Sequence, residues 1–233
     1  GYRTLALIDG VRYNNSVYRD GPNEYFSLID VGNLNAIEIF SGPASALYGS
    51  DAIGGTINLQ TKQASFLNES VGEFFTHGSE SLRYATAENS FVSRTELEFG
   101  QGQQWGLIGG FTRKNFGDVD AADLGKLAHT GYDEYAVDLR FDLVINDQWD
   151  LTVVHQNLNQ DDVWRTHSTI YSKSFSGSEV GSDLRRLKDQ ERQLNYFKVF
   201  IIKIFILRSS IFLKKKIIKK VFIFTGVLVL EKR

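Results

Sequence analysis

The side chains that could bind a metal ion or act as nucleophiles are scattered along the chain. The four histidines are His77, His129, His155 and His167. They lack the close spacing of metal ligands, so we interpret them as surface or loop residues. Ser45 and Ser50 lie near glycines, but Gly-Pro-Ala-Ser-Ala lacks the pattern of a nucleophile elbow. The sequence therefore predicts no catalytic residue, no metal site and no cofactor, and it predicts that the protein is not an enzyme.

Two residue types are missing altogether. Cysteine is absent, which excludes disulfides, Cys-ligated zinc, iron–sulfur centres and thiol nucleophiles. Methionine is absent too, even at position 1, so we expect the sequence to begin inside a longer chain. A missing signal peptide then says nothing about location.

The carboxylates Asp138 and Asp142 could form an acid/base pair, but their surroundings favour another role. Apolar side chains occupy every second position of residues 135–145, namely Tyr135, Val137, Leu139, Phe141, Leu143 and Ile145. Asp138, Arg140 and Asp142 stand between them. A strand places alternate side chains on opposite faces. We therefore predict a strand whose apolar set faces outward and whose charged set faces the interior of a barrel.

The same alternation recurs in residues 94–99, 105–111 and 149–153. Short polar links at 101–103 and 146–147 alternate with long ones at about 117–131 and 161–190. Strands of about ten residues joined by short turns and long loops are typical of a transmembrane β-barrel. A soluble antiparallel β-sandwich alternates in the same way, and periodicity alone leaves both open.

The first 63 residues predict short strands separated by turns. Apolar runs at 5–8, 36–40 and 56–59 read as strands, and Asp9-Gly10 ends the first of them. Between the second and third runs, Pro43 suits the first turn of a helix and Gly49 can close it. We therefore expect one short helix between two strands.

The last 36 residues have a composition of their own. From Lys198 onward there are ten Lys or Arg residues against the single acid Glu231, so the basic surplus is confined to this end. A basic amphipathic helix at a membrane surface is one reading, but the apolar residues cluster in runs instead of recurring every three or four. We interpret residues 199–233 as translation of AT-rich DNA out of frame, because Lys, Ile, Phe and Leu have AT-rich codons.

A long ordered run from position 37 to 62 identifies the chain most specifically. It reads Ile-Glu-Ile-Phe-Ser-Gly-Pro-Ala-Ser-Ala-Leu-Tyr-Gly-Ser-Asp-Ala-Ile-Gly-Gly-Thr-Ile-Asn-Leu-Gln-Thr-Lys. It resembles the end of the plug domain of TonB-dependent receptors, as does Asp-Gly-x-Arg at 9–12. Glycines that permit positive φ or close backbone approach suit a small globule packed inside a tube. The motif residues, which we expect to be structural, are Glu38, Gly42, Pro43, Leu47, Tyr48, Gly49, Gly54, Gly55 and Asn58.

The resemblance implies a receptor of the Gram-negative outer membrane that takes up a scarce nutrient chelate, such as a siderophore, haem or cobalamin. Its implied partners are the TonB energy-coupling complex, outer-membrane lipid and the chelate, with no nucleic acid. Many members carry Arg immediately before Gly-Pro, where it joins a charged cluster with the barrel wall. Ser41 stands there in this chain, which puts that contact in doubt.

Plug loops after the Asp-Gly turn reach the external vestibule in this family. The ligand-binding residues that this implies are Arg12, Tyr13, Asn14, Asn15, Tyr18, Arg19 and Asn23. A hydrogen-bonding surface against the barrel wall is the alternative role, because loops of this composition are common.

The predicted fold is mainly β: a partial plug domain of short strands and a short helix, followed by an incomplete antiparallel transmembrane β-barrel meander. We expect residues 1–63 to form the C-terminal part of the plug, 64–198 the first strands and loops of the barrel, and 199–233 a tail foreign to it. Three functions are open: a fragment of a receptor for energised uptake, a non-functional truncated or frameshifted product, and a soluble β-sandwich binding module.

Overall fold

A computed structural model describes residues 4–13, 28–49, 52–122, 125–127, 130–166, 185–204 and 219–224. Within these ranges the chain forms a four-stranded sheet, a seven-stranded sheet and a two-stranded hairpin. The first sheet lies against the inner side of the second. The four-stranded sheet lies within residues 4–61 and the seven-stranded sheet within residues 74–224.

The four-stranded sheet is the plug region. Its strands are β1 (Thr4–Ile8), β2 (Val11–Arg12), β3 (Leu34–Ser41) and β4 (Gly55–Thr61), in the spatial order β2-β1-β4-β3. β1 runs parallel to β4 and antiparallel to β2. The apolar run at 5–8 is buried throughout, because it lies in the middle of the sheet. Three strands predicted in this region are thus confirmed.

A four-residue helix, α1 (Ser45–Tyr48), connects β3 to β4. Gly49 ends it as predicted, with its N–H donating to the carbonyl of Ser45 3.0 Å away. The expectation that Pro43 lies in the first turn is wrong, because Ala44 is the N-cap residue and Pro43 precedes it. Single turns of 3-10 helix at Val31–Asn33 and Ser65–Asn68 flank the plug strands.

The seven-stranded sheet is the barrel region. Its strands are β5 (Phe74–Ala85), β6 (Ser90–Gln101), β7 (Trp105–Phe116), β10 (Tyr132–Asn146), β11 (Trp149–Thr166), β12 (Arg185–Ile204) and β13 (Lys219–Phe224). Each strand pairs antiparallel with the next along the chain, and the sheet does not close. A single continuous meander of this kind excludes the β-sandwich.

The long connection after β7 is folded. It contains a hairpin of β8 (Asp120–Ala121) and β9 (Gly125–Lys126). The carboxylate of Asp118 closes its base by accepting hydrogen bonds from the backbone N–H groups of Thr130 and Gly131 at 2.9 and 3.1 Å. The predicted short links after β6 and β10 are tight turns, and the predicted long link at 117–131 is confirmed, whereas the β5–β6 link at the same end is only four residues long.

The two faces of the barrel sheet differ as the alternation in β10 predicts. Val137 and Leu139 are 42% and 44% exposed on the outer face, whereas Asp138 and Asp142 are 8% and 4% exposed on the inner face. Arg140 also points inward, where it meets the plug. The predicted orientation is therefore confirmed, and it gives the sheet an apolar outside and a polar inside, as in transmembrane barrels.

Three boundaries differ from the prediction. β5 begins at Phe74, ahead of the first predicted alternating run at 94–99, because nearly all its side chains are exposed and leave no periodic pattern. β11 extends through Thr166, past a register shift between Gln160 and Val163, so the connection predicted at 161–190 is shorter. β12 continues into the tail as far as Ile204, where β13 pairs with it.

Candidate functional site at the plug–barrel interface

A buried network of charges joins the plug to the inner faces of β6, β7 and β10, which we call the first wall. Asp30 of the plug lies at its centre. Its carboxylate is 3.2 Å from the guanidinium of Arg94 and 3.0 Å from the ammonium of Lys114, and it accepts a hydrogen bond from the Thr112 hydroxyl at 2.6 Å. Arg94 also donates to Asp138 at 2.8 Å. Arg94 and Lys114 are thus each paired with the plug carboxylate Asp30 and with a carboxylate of the wall.

The environment of Asp30 keeps it ionised. Burial is the largest single influence on the pKa of this carboxyl and raises it, whereas the nearby Lys114 charge lowers it. Hydrogen bonds from Thr112, Lys114 and the backbone N–H of Gly32 act in the same direction as Lys114. The net result is a pKa below the usual value of 3.8. Asp30 is therefore a fixed anion facing two wall cations.

A glycine on the neighbouring strand makes room for the guanidinium of Arg94. An added Cβ at Gly110 would lie 2.2 Å from the nearest guanidinium nitrogen, far closer than van der Waals contact. Arg94 also reaches Glu96 on its own strand at 2.7 Å. The residue at 110 therefore decides whether Arg94 can lie flat against the wall and reach Asp30.

A second plug carboxylate, Asp9, contacts the wall at β10 and β12. It accepts hydrogen bonds from the backbone N–H and hydroxyl of Thr61 at 2.8 and 2.5 Å and from the phenol of Tyr196. The guanidinium of Arg140 lies 3.6 Å away and also pairs with Asp142 at 2.8 Å. The Asp-Gly turn is thus seated against β10 and β12 through its carboxylate.

The segment leading from the plug to β5 is attached differently. Ala64 and Phe66 are buried in an apolar cluster with Phe75 and Ile108, and an added Cβ at Gly106 would collide with them. The N–H of Gln103 in the β6–β7 turn donates to the carbonyl of Phe66 at 2.7 Å. We call this segment the linker anchor. It fixes the end of the plug to the barrel rim by apolar packing and backbone hydrogen bonds.

Polar contacts surround the linker anchor. Lys62 pairs with Glu96 at 3.0 Å, and the hydroxyl of Ser65 donates to Glu98 at 2.9 Å. His77 lies 2.9 Å from Glu98 and is half exposed. His155 lies 2.6 Å from the side-chain oxygen of Asn195. These two histidines thus contact neighbouring strands, whereas His129 and His167 lie outside the described residues.

The inner faces of β11 and β12, which we call the second wall, meet the plug through an apolar patch. Val154 and Leu194 are buried against Ile8, Val11 and Leu59 of the plug. Tyr196 completes the patch and directs its hydroxyl to Asp9. The plug therefore rests on charge pairs at the first wall and mainly on apolar contacts at the second.

The plug-motif residues build the sheet on which these contacts depend. The side chain of Asn58 donates to Glu38 at 2.9 Å and accepts from the N–H of Gly10 at the same distance, which joins three strands. Gly55 has φ +150°, and an added Cβ would lie 2.7 Å from the carbonyl oxygen of Phe40. Tyr48 packs against the ring of Phe40 with centroids 5.7 Å apart. The remaining motif residues lie around α1. Gly42 and Pro43 precede it, the backbone of Leu47 lies in it, and Gly49 and Gly54 follow it.

Two of the residues predicted to bind ligand lie within the described chain. Arg12 is exposed on β2, and the ring of Tyr13 lies beneath the guanidinium of Arg192, 5.3 Å from its centre. The other predicted residues, Asn14, Asn15, Tyr18, Arg19 and Asn23, lie outside the described residues. Tyr13 therefore contacts the barrel wall.

The residues of the charged network were not singled out from the sequence, except Asp138, Arg140 and Asp142. Asp30 stands in an unremarkable stretch, 64 positions before its partner Arg94. No local pattern connects them. Ser41 is exposed at the end of β3 and takes no part in the network.

An open antiparallel meander, polar inside and apolar outside, with a small mixed sheet seated against its inner face defines the class of plugged outer-membrane barrels. The model for the TonB-dependent Receptor Plug Domain matches residues 1–56. This match and the relatives described below support a place for the chain in the TonB-dependent receptor family. Members of this family are outer-membrane proteins of Gram-negative bacteria.

Known relatives agree in sequence and in fold. The chain is 27% identical over 204 residues to the vitamin B12 transporter BtuB of Vibrio vulnificus strain CMCP6, covering 83% of this chain and 32% of the relative. The copper transporter OprC superposes with a TM-score of 0.61 at 14% identity, covering 87% of this chain and 27% of that one. A ferric enterobactin receptor, PfeA, gives 0.54 at 20% identity, covering 87% and 31%. The chain thus spans about a third of the length of these proteins.

No helix within the described ranges is long and apolar enough to cross a membrane.

Proposed function

We propose that this segment belongs to a receptor for energised uptake of a scarce nutrient chelate, such as a siderophore, haem or a cobalamin-like compound, across the outer membrane. The chelate binds from outside. The TonB energy-coupling complex then displaces the plug, and the surrounding lipid holds the barrel. In this proposal the chain is a transport receptor and catalyses no reaction.

The seating of the plug carries the proposal. Asp9 and Asp30 are held by wall cations and hydroxyls, contacts that water can replace when the plug moves. The linker anchor, in contrast, packs Phe66 into an apolar cluster at the rim. A plug that is tethered at one end and seated elsewhere largely through replaceable contacts suits repeated displacement. The boundary we propose between plug and barrel, at residues 63 and 64, falls at the start of this anchor.

We assign ligand contact to the plug loop that includes Arg12 and Tyr13 and continues through Asn14, Asn15, Tyr18, Arg19 and Asn23. Its composition of tyrosine, arginine and asparagine supports this role, because such side chains offer both stacking and hydrogen bonds. The motif residues from Glu38 to Asn58 have a structural role in the proposal.

Uptake in cells tests the proposal. The full-length receptor gene should restore growth of a receptor-deficient Gram-negative strain on at least one member of a chelate panel, namely a ferric catecholate, a ferric hydroxamate, haem and cobalamin. Restoration should require TonB, because the plug is displaced by that complex. Growth that does not depend on TonB, or failure on every chelate of the panel with receptor present in the outer membrane, contradicts it.

A second candidate is a non-functional truncated or frameshifted product, and the composition of residues 199–233 favours it. A barrel that is open at its edges leaves unpaired backbone groups in lipid, each costing several kcal/mol. We therefore expect the 233 residues alone to give no uptake. Sequencing the coding DNA and reading all frames beyond position 199 tests this candidate: recovery of further alternating strands in another frame supports it, and their absence contradicts it.

A further inference from the structure

The second wall carries positive charge that the plug does not match. Its inward side chains between positions 152 and 160 and between 192 and 198 include two cations, Arg192 and Lys198, and no carboxylate. The first wall is different, because each of its cations Arg94, Lys114 and Arg140 is paired with a plug carboxylate. Arg192 and Lys198, in contrast, have no ion pair among the described residues.

Arg192 is only partly satisfied. One of its terminal nitrogens donates to Gln156 at 3.0 Å, and its guanidinium lies over the ring of Tyr13. Its Nε and the other terminal nitrogen are buried and have no acceptor among the residues that the structure describes. A buried N–H without an acceptor is costly, so such a group persists where an acceptor arrives at another stage of function.

Lys198 is the second unmatched cation. It is 7% exposed, and its ammonium lies 5.3 Å from the ring centre of Tyr196. Within the described parts of the chain it makes no hydrogen bond or ion pair with a carboxylate. The charges of Asp9 on the plug and Asp142 on β10 act on it from beyond ion-pair distance, so its charge is only partly compensated while the plug is seated.

The plug itself places an anion where the two walls meet it. The carboxylate of Asp9 accepts a hydrogen bond from Tyr196 of β12 and lies 3.6 Å from Arg140 of β10. Asp9 leaves this position when the plug is displaced. Arg140 and the Tyr196 hydroxyl then lose this acceptor, next to Lys198 and on the same side of the lumen as Arg192.

The described residues leave little room for cargo beside Arg192 while the plug is seated. The cavity beside Arg192, which Asp138 and Gln156 also line, measures about 10 Å³. That is about the space of a single water molecule. The cations therefore become available only once the plug has moved.

We propose that Arg192 and Lys198, with Arg140 and Tyr196, form a track for the anionic groups of a passing chelate: carboxylates, catecholates or phosphates. Arg192 and Lys198 are six residues apart on one strand, which corresponds to about 20 Å along the barrel. The plug carboxylate Asp9 occupies the track at rest and the cargo anion replaces it during passage. This inference rests on the proposed uptake function and names the charge of its cargo.

The test uses the full-length receptor in a receptor-deficient strain, with the double variant Arg192→Gln/Lys198→Gln and the matched control Arg113→Gln. Arg113 lies on the outward face of β7, so its variant removes a charge that the track does not contain. The probes are an anionic ferric tris-catecholate, haem with its carboxylates, an uncharged ferric tris-hydroxamate and cobalamin. Binding to de-energised cells and uptake by energised cells are measured separately.

We expect the wild-type receptor to transport an anionic probe. The double variant should bind it with unchanged affinity in de-energised cells but take it up about tenfold more slowly, because a cavity lined by one sign of charge concentrates the opposite ion. The control should match wild type. Transport restricted to the uncharged probes, an equal loss of binding in de-energised cells, or unchanged uptake in the double variant overturns the inference. Absence of uptake of every probe by the wild type instead contradicts the proposed function itself.

Discussion

The two halves of the inner barrel wall receive the same plug in different ways. The first wall, on β6, β7 and β10, meets it with Arg94 and Lys114, and both are matched by Asp30. The second wall, on β11 and β12, meets it with the apolar Val154 and Leu194 and leaves Arg192 and Lys198 without carboxylate partners among the described residues. A wall that is charge-matched to the plug holds the plug. A wall with unpaired cations is suited to an anionic cargo that passes once the plug has moved.

Removing the central cation of the first wall should have the largest effect. Arg94→Ala leaves the carboxylates of Asp30 and Asp138 buried together without their shared partner, which costs about 3–5 kcal/mol. Hydrogen exchange of the plug amides in the full-length receptor measures this loss of seating. Arg113→Ala, on the outward face, is the control and should change it by no more than about 0.5 kcal/mol. Equal protection of the plug amides from hydrogen exchange in Arg94→Ala and Arg113→Ala would show that Arg94 does not hold the plug.

Displacing the guanidinium of Arg94 without removing it should lower the unfolding free energy by a smaller amount. Gly110→Ala places a methyl group 2.2 Å from the guanidinium of Arg94, so the side chain must shift away from Asp30. We expect a loss of about 1–3 kcal/mol, the range for overpacking a tight site. Gly109→Ala is the matched control, because its Cβ meets only the flexible end of Leu139 at 3.2 Å. A thermal unfolding series on both variants checks the difference, and a larger loss at 109 than at 110 would contradict it.

Acid should loosen the first wall through Asp30. Its pKa is lowered in the folded protein, so its contribution to stability is present above the usual value of 3.8 and is lost as pH falls through the folded value. Asp30→Asn should therefore be destabilised near neutral pH and lose less stability than wild type on acidification below about pH 4. Unfolding midpoints of the two proteins across this pH range check the sign. Parallel curves would mean that the Asp30 carboxylate is not coupled to folding.

The smallest effect is expected at the edge of the network. Lys62 pairs with Glu96, but its side chain is 34% exposed. Partly exposed ion pairs contribute about 0.2–1 kcal/mol because water screens them. Lys62→Met should therefore lower the unfolding free energy by no more than this. A loss comparable to that of Arg94→Ala would place Lys62 among the residues that hold the plug.

The sequence predicted the elements better than it predicted the contacts between them. Alternation in β10 gave the strand and both of its faces, because period two is a local property of the chain. The sequence does not predict β5 as a strand, since its side chains are exposed on both faces and carry no period. The pairing of Asp30 with Arg94 joins residues 64 positions apart and depends on how the plug sits in the wall. Only Asp138, Arg140 and Asp142 were assigned to the interface beforehand, because their strand already fixed the direction in which they point.

Hydrogen exchange of the seated plug, compared between one variant of each wall, tests the central contrast most directly. In the full-length receptor, Arg94→Gln should speed exchange of the β1 and β4 amides, because it removes a matched charge of the first wall. The double variant Arg192→Gln/Lys198→Gln should leave that exchange unchanged or slow it, since unpaired buried cations are removed. The opposite result, with fast exchange in the second-wall variant and wild-type exchange in Arg94→Gln, would show that Arg192 and Lys198 hold the plug.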